Sequence, residues 1–552
     1  MMKQLFSTKV LLVAIVIIAA VLRFYQIGSN PPSMSWDEVA WGYNAYSLGI
    51  DARDEFGKLL PHDYIESFGD FKPVMYAYLD VLPVKAFGLT VFATRFPSAF
   101  LGTLTVLLTY FLTIRIFQGF KKKEDVELNS IGLLAAFFLA ISPWHIMLSR
   151  GAWEANVATF FLVTGIWLYL KAVQENMWYL SLSAIGFIAS LYAFNTSRVF
   201  TPLILVALSL LFWKQLWQHK KQAVIAGIIG ILFLLPTLPH LLSPQAKLRF
   251  QEVNIFSDST VVKMANQEVA NDNNVSWSKI IHNRRFLYSL DFLQHYFDNL
   301  NFRFLFIQGD GNPKFSIQDV GQMYLWDLPF FIAGILYLFR KKEGNWYVIP
   351  LWILLGIIPA ATARETPHAL RIETTLPTFQ IITAYGVFVF LKSTWFEKLR
   401  KYFKQIPIFV LGLLLLGNVV YFVHDYYIHY PLKYSGTWLY GYEQSIAYVE
   451  KVQSQYKEID MTQELGRPYI YYLFYMKTDP KVFRKEANIS RDVFGFVTVH
   501  NFGKYHFENI RPKELQARIL YIDVPSQIPG GSHIIKIFSA LNGDHVLVAY
   551  TK

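Results

Sequence analysis

Apolar and polar positions alternate in two regimes along this chain. Between residues 10 and 424, long apolar stretches are separated by short charged connections; beyond 425, shorter apolar runs are interleaved with polar residues. A membrane-crossing helix needs about 20 mostly apolar residues. Eleven stretches approach that length: 10–27, 96–117, 130–147, 155–171, 177–194, 199–213, 222–242, 323–339, 346–361, 372–391 and 407–424. The first follows Lys3 and Lys9, as the core of a signal peptide would. It is longer than such a core and lacks a small-residue cleavage site, so it reads as an uncleaved first span. In the tail, 441–458 has helical spacing, whereas 517–524 and 533–538 read as strands. Asn542-Gly543 ahead of 546–550 is a hairpin signal. The pattern predicts a polytopic α-helical membrane domain over 1–424 and a small α/β domain over 425–552, with no internal repeat.

Composition sharpens this picture. Of 552 residues, 53% are hydrophobic and 16% charged, against about 25% charged in soluble chains. That excludes an ordinary cytosolic enzyme, a fibrous protein and a disordered chain. The absence of cysteine excludes disulfides, thiolate zinc sites and cysteine nucleophiles. The net charge of +11 is topological and gives no reason to expect nucleic-acid binding. With the N-terminus in the cytoplasm, the short inner connections carry eighteen Lys and Arg, including Lys121 to Lys123 and Arg340 to Lys342. The short outer connections carry four: Arg150, Arg198, Arg364 and Arg371. This bias sets the expected orientation. Eleven spans then place the C-terminus outside, together with the long segments 28–95, 243–322 and 425–552. The inner side is left with short basic hairpins, too small for a nucleotide-binding domain, and no phosphate-loop or dinucleotide glycine fingerprint occurs. Asn195, Asn274 and Asn488 head N-x-S/T triplets, which are too common by chance to carry weight.

The chemistry is concentrated in the first outer loop. It reads Pro31-Pro32-Ser33-Met34-Ser35-Trp36-Asp37-Glu38 and, further on, Gly69-Asp70-Phe71-Lys72-Pro73. Adjacent carboxylates just past a membrane span need water, a cation or a function. Ser35 or Asp37 would equally serve as the N-cap of a following helix, and both readings stand on the sequence. Positive residues on the outer side run against the topological trend: Lys72, Arg95, Arg198, and the group Arg364, His368 and Arg371. Snorkelling to headgroups accounts for some of them. Gathered beside Asp37 and Asp70, they would make a site for an anionic ligand, with phosphate the natural partner. His145 and Glu154 read as braces for the turn between the third and fourth spans. Trp36 and Trp41 mostly fit the aromatic belt expected at a membrane interface.

Trp36-Asp37-Glu38, Asp70-Phe71-Lys72-Pro73 and Arg95-Phe96-Pro97-Ser98 resemble the GT-C type of polyprenyl-phosphate-sugar glycosyltransferases. The resemblance is to the branch of protein O-mannosyltransferases and aminoarabinose lipid A transferases, in its bacterial form. Ser142-Pro143-Trp144-His145, Arg150 with Glu154, Leu305-Phe306 with Gly309-Asp310, and Pro367-His368-Ala369-Leu370-Arg371 are similar to further fragments of it, over roughly 10–424. Val74 and Phe315 depart from the pattern, where a second proline and a histidine are usual. The resemblance implies a GT-C-like fold of about eleven spans with an extracytoplasmic C-terminal domain. It also implies transfer of a sugar from a polyprenyl-phosphate donor to an acceptor hydroxyl on the outer face, with inversion at the sugar carbon. Asp37 matches the family's base, with Glu38 next in line and Asp70 a second acid. Lys72 and Arg95 match phosphate contacts, and Arg198 joins them on location alone. Trp36, His368 and Arg371 are candidate substrate contacts. No metal or other cofactor is expected to be essential, and the acceptor, whether protein, lipid or wall glycan, is unspecified.

Two other classes compete with this expectation. A lipid-linked-sugar flippase or other transporter would carry ionisable residues in mid-span and inverted repeats, and neither is evident. A scaffold with an outer binding domain would need far fewer than eleven spans.

Overall fold

The computed structural model describes residues 2–119, 126–244, 246, 254–493, 495–509 and 515–552. Each of the eleven apolar stretches falls on helix. Among the described residues, five helices are long and apolar enough to cross a membrane: Ser7–Phe24, Val91–Gln118, Glu154–Gln174, Lys220–Leu241 and Ile406–Tyr434. Two further stretches are bent pairs, Val126–Ile141 with Pro143–Arg150 at 56°, and Thr378–Leu391 with Thr394–Phe403 at 60°. At the first bend Pro143 opens the second helix, where its missing N–H costs nothing. The other four are helices of 14 or 15 residues: Tyr179–Ala193, Ser197–Leu211, Asp327–Lys341 and Val348–Ala361. A helix that short rises about 22 Å at 1.5 Å per residue, less than the ~30 Å hydrocarbon core. The chain is thus a multi-pass membrane protein, with five helices of full crossing length among the described residues, or seven if each bent pair is one span.

The chain divides into two compact units. One comprises Met1–Leu22, Gly102–Leu148 and Ala155–Val419; the other comprises Arg23–Leu101, Ser149–Glu154 and Val420–Lys552. The loop 28–95 and the tail, expected in separate domains, therefore share one unit. Their shared core explains why. Met34, Val39, Tyr43 and Phe68 from the loop pack in one buried cluster with Tyr469, Ile470, Tyr471 and Phe474 from the tail. Burying one large apolar side chain contributes roughly 1.5–3 kcal/mol, so this cluster is a strong tie between segments some 400 residues apart in sequence.

Within the loop, β1 (Ile65–Ser67) and β2 (Asp70–Lys72) form an antiparallel hairpin with Ser67 opposite Asp70 and Ile65 opposite Lys72. Phe68 and Gly69 are its two turn residues, at φ +46° and +80°. Two left-handed residues in a two-residue connection match the twist of the flanking strands. A bulky residue in that region is rare, and here Phe68 is held by its neighbours: its N–H donates to the Tyr469 hydroxyl at 3.2 Å. The Tyr469 hydroxyl in turn donates to Glu55 Oε1 at 2.8 Å. Glu55 also accepts from Asn44 at 2.9 Å and from Ser67 at 3.2 Å. Burial pushes the Glu55 carboxyl up to about 8, against the pull of these donors.

The tail carries the remaining strands: β3 (Glu458–Met461), β4 (Asn488–Arg491), β5 (Val497–Phe502), β6 (Tyr505–Phe507), β7 (Ile519–Asp523), β8 (His533–Ser539) and β9 (His545–Thr551). They form one sheet in the order β4-β5-β6-β3-β7-β9-β8. β3 runs parallel to β6 and β7, and the other pairings are antiparallel. The helix expected over 441–458 is Tyr442–Val452, and the Asn542-Gly543 signal lies in the β8–β9 hairpin.

Gly69 tests the tie between loop and tail. A Cβ there would sit 2.3 Å from the Phe496 Cα, a backbone atom that cannot rotate away. Gly69→Ala is expected to lower stability by at least ~1 kcal/mol from the positive φ alone, and by more from the clash. Gly495→Ala has a similar φ of +89° and open space around it. Thermal unfolding in detergent should rank Gly69→Ala well below Gly495→Ala, and equal midpoints would contradict the contact.

Candidate active site

The helix Trp36–Asp51 begins with a capping box. The Ser35 hydroxyl accepts the Glu38 N–H, and Glu38 reaches back to the Ser35 N–H at 2.9 Å. Glu38 is also the centre of a buried ion pair. Its Oε1 accepts from Arg95 Nε at 2.8 Å and from the Ala152 N–H at 3.0 Å. Neither the Glu38 nor the Arg95 side chain has any exposed surface. Arg95 donates further to the carbonyls of Ile27 and Pro31 from Nη1, both at 3.0 Å, and to Ser33 O and Glu38 Oε2 from Nη2. A guanidinium has five N–H donors, and all five of these are taken. Expected on a phosphate, Arg95 has no donor left for one; it fixes the turn that precedes the helix. Glu38, expected as second in line to Asp37, is sealed from solvent for the same reason.

Asp37 is different. Successive residues of a helix point about 100° apart, so locking Glu38 inward turns Asp37 toward solvent. Its side chain is 36% exposed, and it forms an ion pair with Lys72 Nζ, whose side chain is 6% exposed. Lys72 and Asp70 are two apart on β2 and share one face of the hairpin. The Lys72 ammonium sits 5.2 Å over the Trp41 ring and 4.7 Å over the Phe68 ring. Burial opposes its charge, but the carboxylates of Asp37 and Asp70, then that of Glu154, outweigh burial and hold its pKa above the ordinary lysine value. The structure therefore brings Asp37, Asp70 and Lys72 together, with Trp36 at the start of the same helix. It adds Glu154, read from the sequence as a brace, to the charges acting on Lys72. Arg150 lies in the same unit, fully buried, donating to the Tyr426 hydroxyl at 3.0 Å and to the carbonyls of Asn30 at 2.8 Å and Arg23 at 3.2 Å.

The remaining candidates belong to the other unit. Arg198 Nε reaches the Leu191 carbonyl at 3.5 Å. His368 is buried, its ring 5.0 Å from that of Phe315 and its Nδ1 3.8 Å from Asp310 Oδ2. Asp310 also accepts the Ala369 N–H at 2.6 Å, and Trp144 Nε1 donates to the Ala369 carbonyl at 3.1 Å. Two short motifs far apart in sequence, around Trp144 and Asp310, thus converge on a third, the loop 367–371. Burial, reinforced by the Arg371 charge, pushes His368 down to about 3, so it is neutral at physiological pH and its approach to Asp310 is not an ion pair. Arg371 donates to the Glu365 carbonyl at 3.0 Å. Among the described residues, no group of three or more His, Asp or Glu is arranged to hold a metal ion.

Residues 13–246 match the sequence model of the dolichyl-phosphate-mannose-protein mannosyltransferases. The fold is similar to that of ArnT from Cupriavidus metallidurans. Against ArnT bound to undecaprenyl phosphate the TM-score is 0.52 at 12% identity, over 97% of each chain. Against the apo form it is 0.51 at 12% identity, over 98% of this chain and 97% of that one. The apo oligosaccharyltransferase of Archaeoglobus fulgidus is similar at a TM-score of 0.49 and 14% identity; 85% of this chain aligns, spanning 63% of that protein's length. No curated protein matches. The resemblance to GT-C-type polyprenyl-phosphate-sugar glycosyltransferases read from the sequence thus holds, in the family match and in the ArnT-like fold.

Two outcomes follow from the buried charges. Arg95→Met leaves Glu38 buried and unpaired, which costs roughly 3–5 kcal/mol; a large drop in the unfolding midpoint is expected, with little change refuting the assigned role. For His368, the folded pKa of about 3 lies below the unfolded 6.5. Between those values the unfolded chain binds a proton that the folded chain refuses, so stability falls as pH drops from 6.5 toward 3. His368→Asn should lose less stability than wild type between pH 7 and 4, measured by thermal unfolding at each pH.

Proposed function

We propose that this protein is an integral-membrane glycosyltransferase that moves a sugar from a polyprenyl-phosphate donor to an acceptor hydroxyl on the extracytoplasmic face. The observation that carries this reading is the Asp37–Lys72 pair: a half-exposed carboxylate held against a nearly buried ammonium, in the segment matched by the mannosyltransferase family model. The bias of basic residues supports a cytoplasmic N-terminus, an extracytoplasmic C-terminus and an outer position for the loop 28–95. Undecaprenyl phosphate bound to the similarly folded ArnT supports a lipid-linked donor of that class.

An alcohol is a weak nucleophile at neutral pH, and a placed carboxylate assists by taking its proton as the bond to the sugar forms. Asp37 takes that role, being the one acid of its capping box that reaches solvent. Meanwhile the bond from the anomeric carbon to the phosphate oxygen breaks through an oxocarbenium-like state, as in glycoside hydrolysis. Negative charge grows on the departing lipid phosphate and is stabilised by a cation already in place. Lys72 supplies it. Lys72 pairs with Asp37; an arriving phosphate competes for the ammonium and frees the Asp37 carboxylate for the acceptor. Asp70 holds Lys72 or orients the acceptor. A single displacement predicts inversion at the sugar carbon. Arg95 and Glu38 act at one remove by fixing the helix start, while Arg198 is carried as a phosphate contact on its location in the sequence alone, and Trp36, His368 and Arg371 as substrate contacts by the sequence resemblance alone.

Release of polyprenyl phosphate from a purified polyprenyl-phosphate sugar in detergent tests the reading. Asp37→Asn is expected to slow release by about 10²–10⁴-fold, the usual contribution of a general base, in protein that still unfolds cooperatively in detergent. Undiminished release in that variant would remove Asp37 as the base. Movement of the donor across a bilayer without cleavage, in the wild type, would replace the enzyme with a flippase.

A further inference from the structure

Lys72 is outnumbered by the acids around it. Asp37, Asp70 and Glu154 all act on its ammonium, and Asp37 pairs with it directly. A lipid phosphate entering this neighbourhood meets the carboxylates of Asp37 and Asp70 against a single ammonium, and like charges repel at these separations unless further cations face them. Arg95 cannot serve, since its five donors are taken.

The tail places a further cation nearby, within the same compact unit. Gly466 and Arg467 close the loop that runs from β3 into helix Pro468–Tyr475. Gly466, at φ +121°, is packed so closely on Trp36 that a Cβ there would lie 2.7 Å from its ring. Three residues on, Tyr469 takes the N–H of Phe68. Arg467 is thereby fixed between the residue that precedes Asp37 and the turn that precedes Asp70. Its guanidinium lies 5.6 Å from the centroid of Phe68, the ring that also carries the Lys72 ammonium at 4.7 Å. Sharing one ring, the two cations are within about one Debye length of each other, ~10 Å at 0.1 M salt. Unlike Lys72, Arg467 is exposed, and it makes no ion pair or hydrogen bond among the described residues. A guanidinium resting on an aromatic ring keeps its N–H fork available, and that fork matches the oxygens of a phosphate.

We propose that Arg467 contacts the lipid-linked phosphate of the donor, completing with Lys72 a two-cation seat that the loop does not build alone. The proposal rests on the glycosyl-transfer reading above and assigns the tail a direct part in donor binding. It is tested on the full-length protein in detergent, comparing wild type, Arg467→Gln and Arg467→Lys for binding of polyprenyl phosphate and of the uncharged polyprenol of equal chain length. Arg467→Gln should bind polyprenyl phosphate about tenfold more weakly, the equivalent of ~1.4 kcal/mol for one lost charge-assisted contact. Arg467→Lys should fall between, and polyprenol binding should be the same in all three. Because the side chain is exposed, unfolding midpoints should match. Wild-type preference for the phosphate that survives intact in Arg467→Gln overturns this proposal alone, as does an equal loss for both lipids. A wild type that binds the two lipids alike overturns the glycosyl-transfer reading and the proposal together.

Discussion

The pairing of Glu38 with Arg95, buried without exposed surface, is the constraint from which the site is built. A charged pair in such a place is tolerable only when every donor and acceptor is matched, and here that requirement organises three pieces of chain. Arg95 gathers the carbonyls of Ile27, Pro31 and Ser33, which sets the path of the chain out of the first helix. Glu38 takes the N–H groups of Ser35 and Ala152, which starts the next helix and attaches the segment 149–154. The position of Asp37 follows. With its neighbour anchored inward it turns toward solvent and meets Lys72. Two adjacent carboxylates therefore have opposite fates: one is structural, the other open to chemistry.

The tail supports the same site from a second direction. Tyr469, Phe68 and Glu55 are joined by hydrogen bonds, and the Tyr471 hydroxyl holds the Met34 carbonyl at 3.0 Å. Arg491 pairs with Glu66 on β1, with Nη2 to Oε2 at 3.0 Å, and Arg484 pairs with Asp51 at the end of the helix that Asp37 begins. The hairpin turn has both residues in left-handed conformation, a strained arrangement for phenylalanine that persists only where its surroundings fix it. Here they do: the strained residue carries the ring beneath Lys72.

Much of this was legible in the sequence because it depends on neighbours along the chain. Ser35 and Glu38 stand three apart, the spacing of a capping box. The apolar stretches located every helix that the structure places there, and Asn542-Gly543 announced its hairpin. The acid–cation grouping of Asp37, Asp70 and Lys72 was also accessible, since these residues sit within one loop. Span length was less so: a run of apolar residues does not fix where the helix inside it ends, and four of the eleven runs yield helices too short to reach across a hydrocarbon core unaided.

By itself, then, the sequence determined what local periodicity and short spacing can encode: the apolar helices, the cap, the Asn542-Gly543 hairpin and a loop rich in acids beside a lysine. Only the tertiary structure decided which acid is buried and which faces water, because that depends on Arg95, which lies 57 residues from Glu38. It also decided that Glu154 acts on Lys72 and that Arg467 shares a ring with it. Such contacts arise from packing between segments distant in sequence, where no repeat or spacing records the partner. The core joining the loop to the tail fixes them.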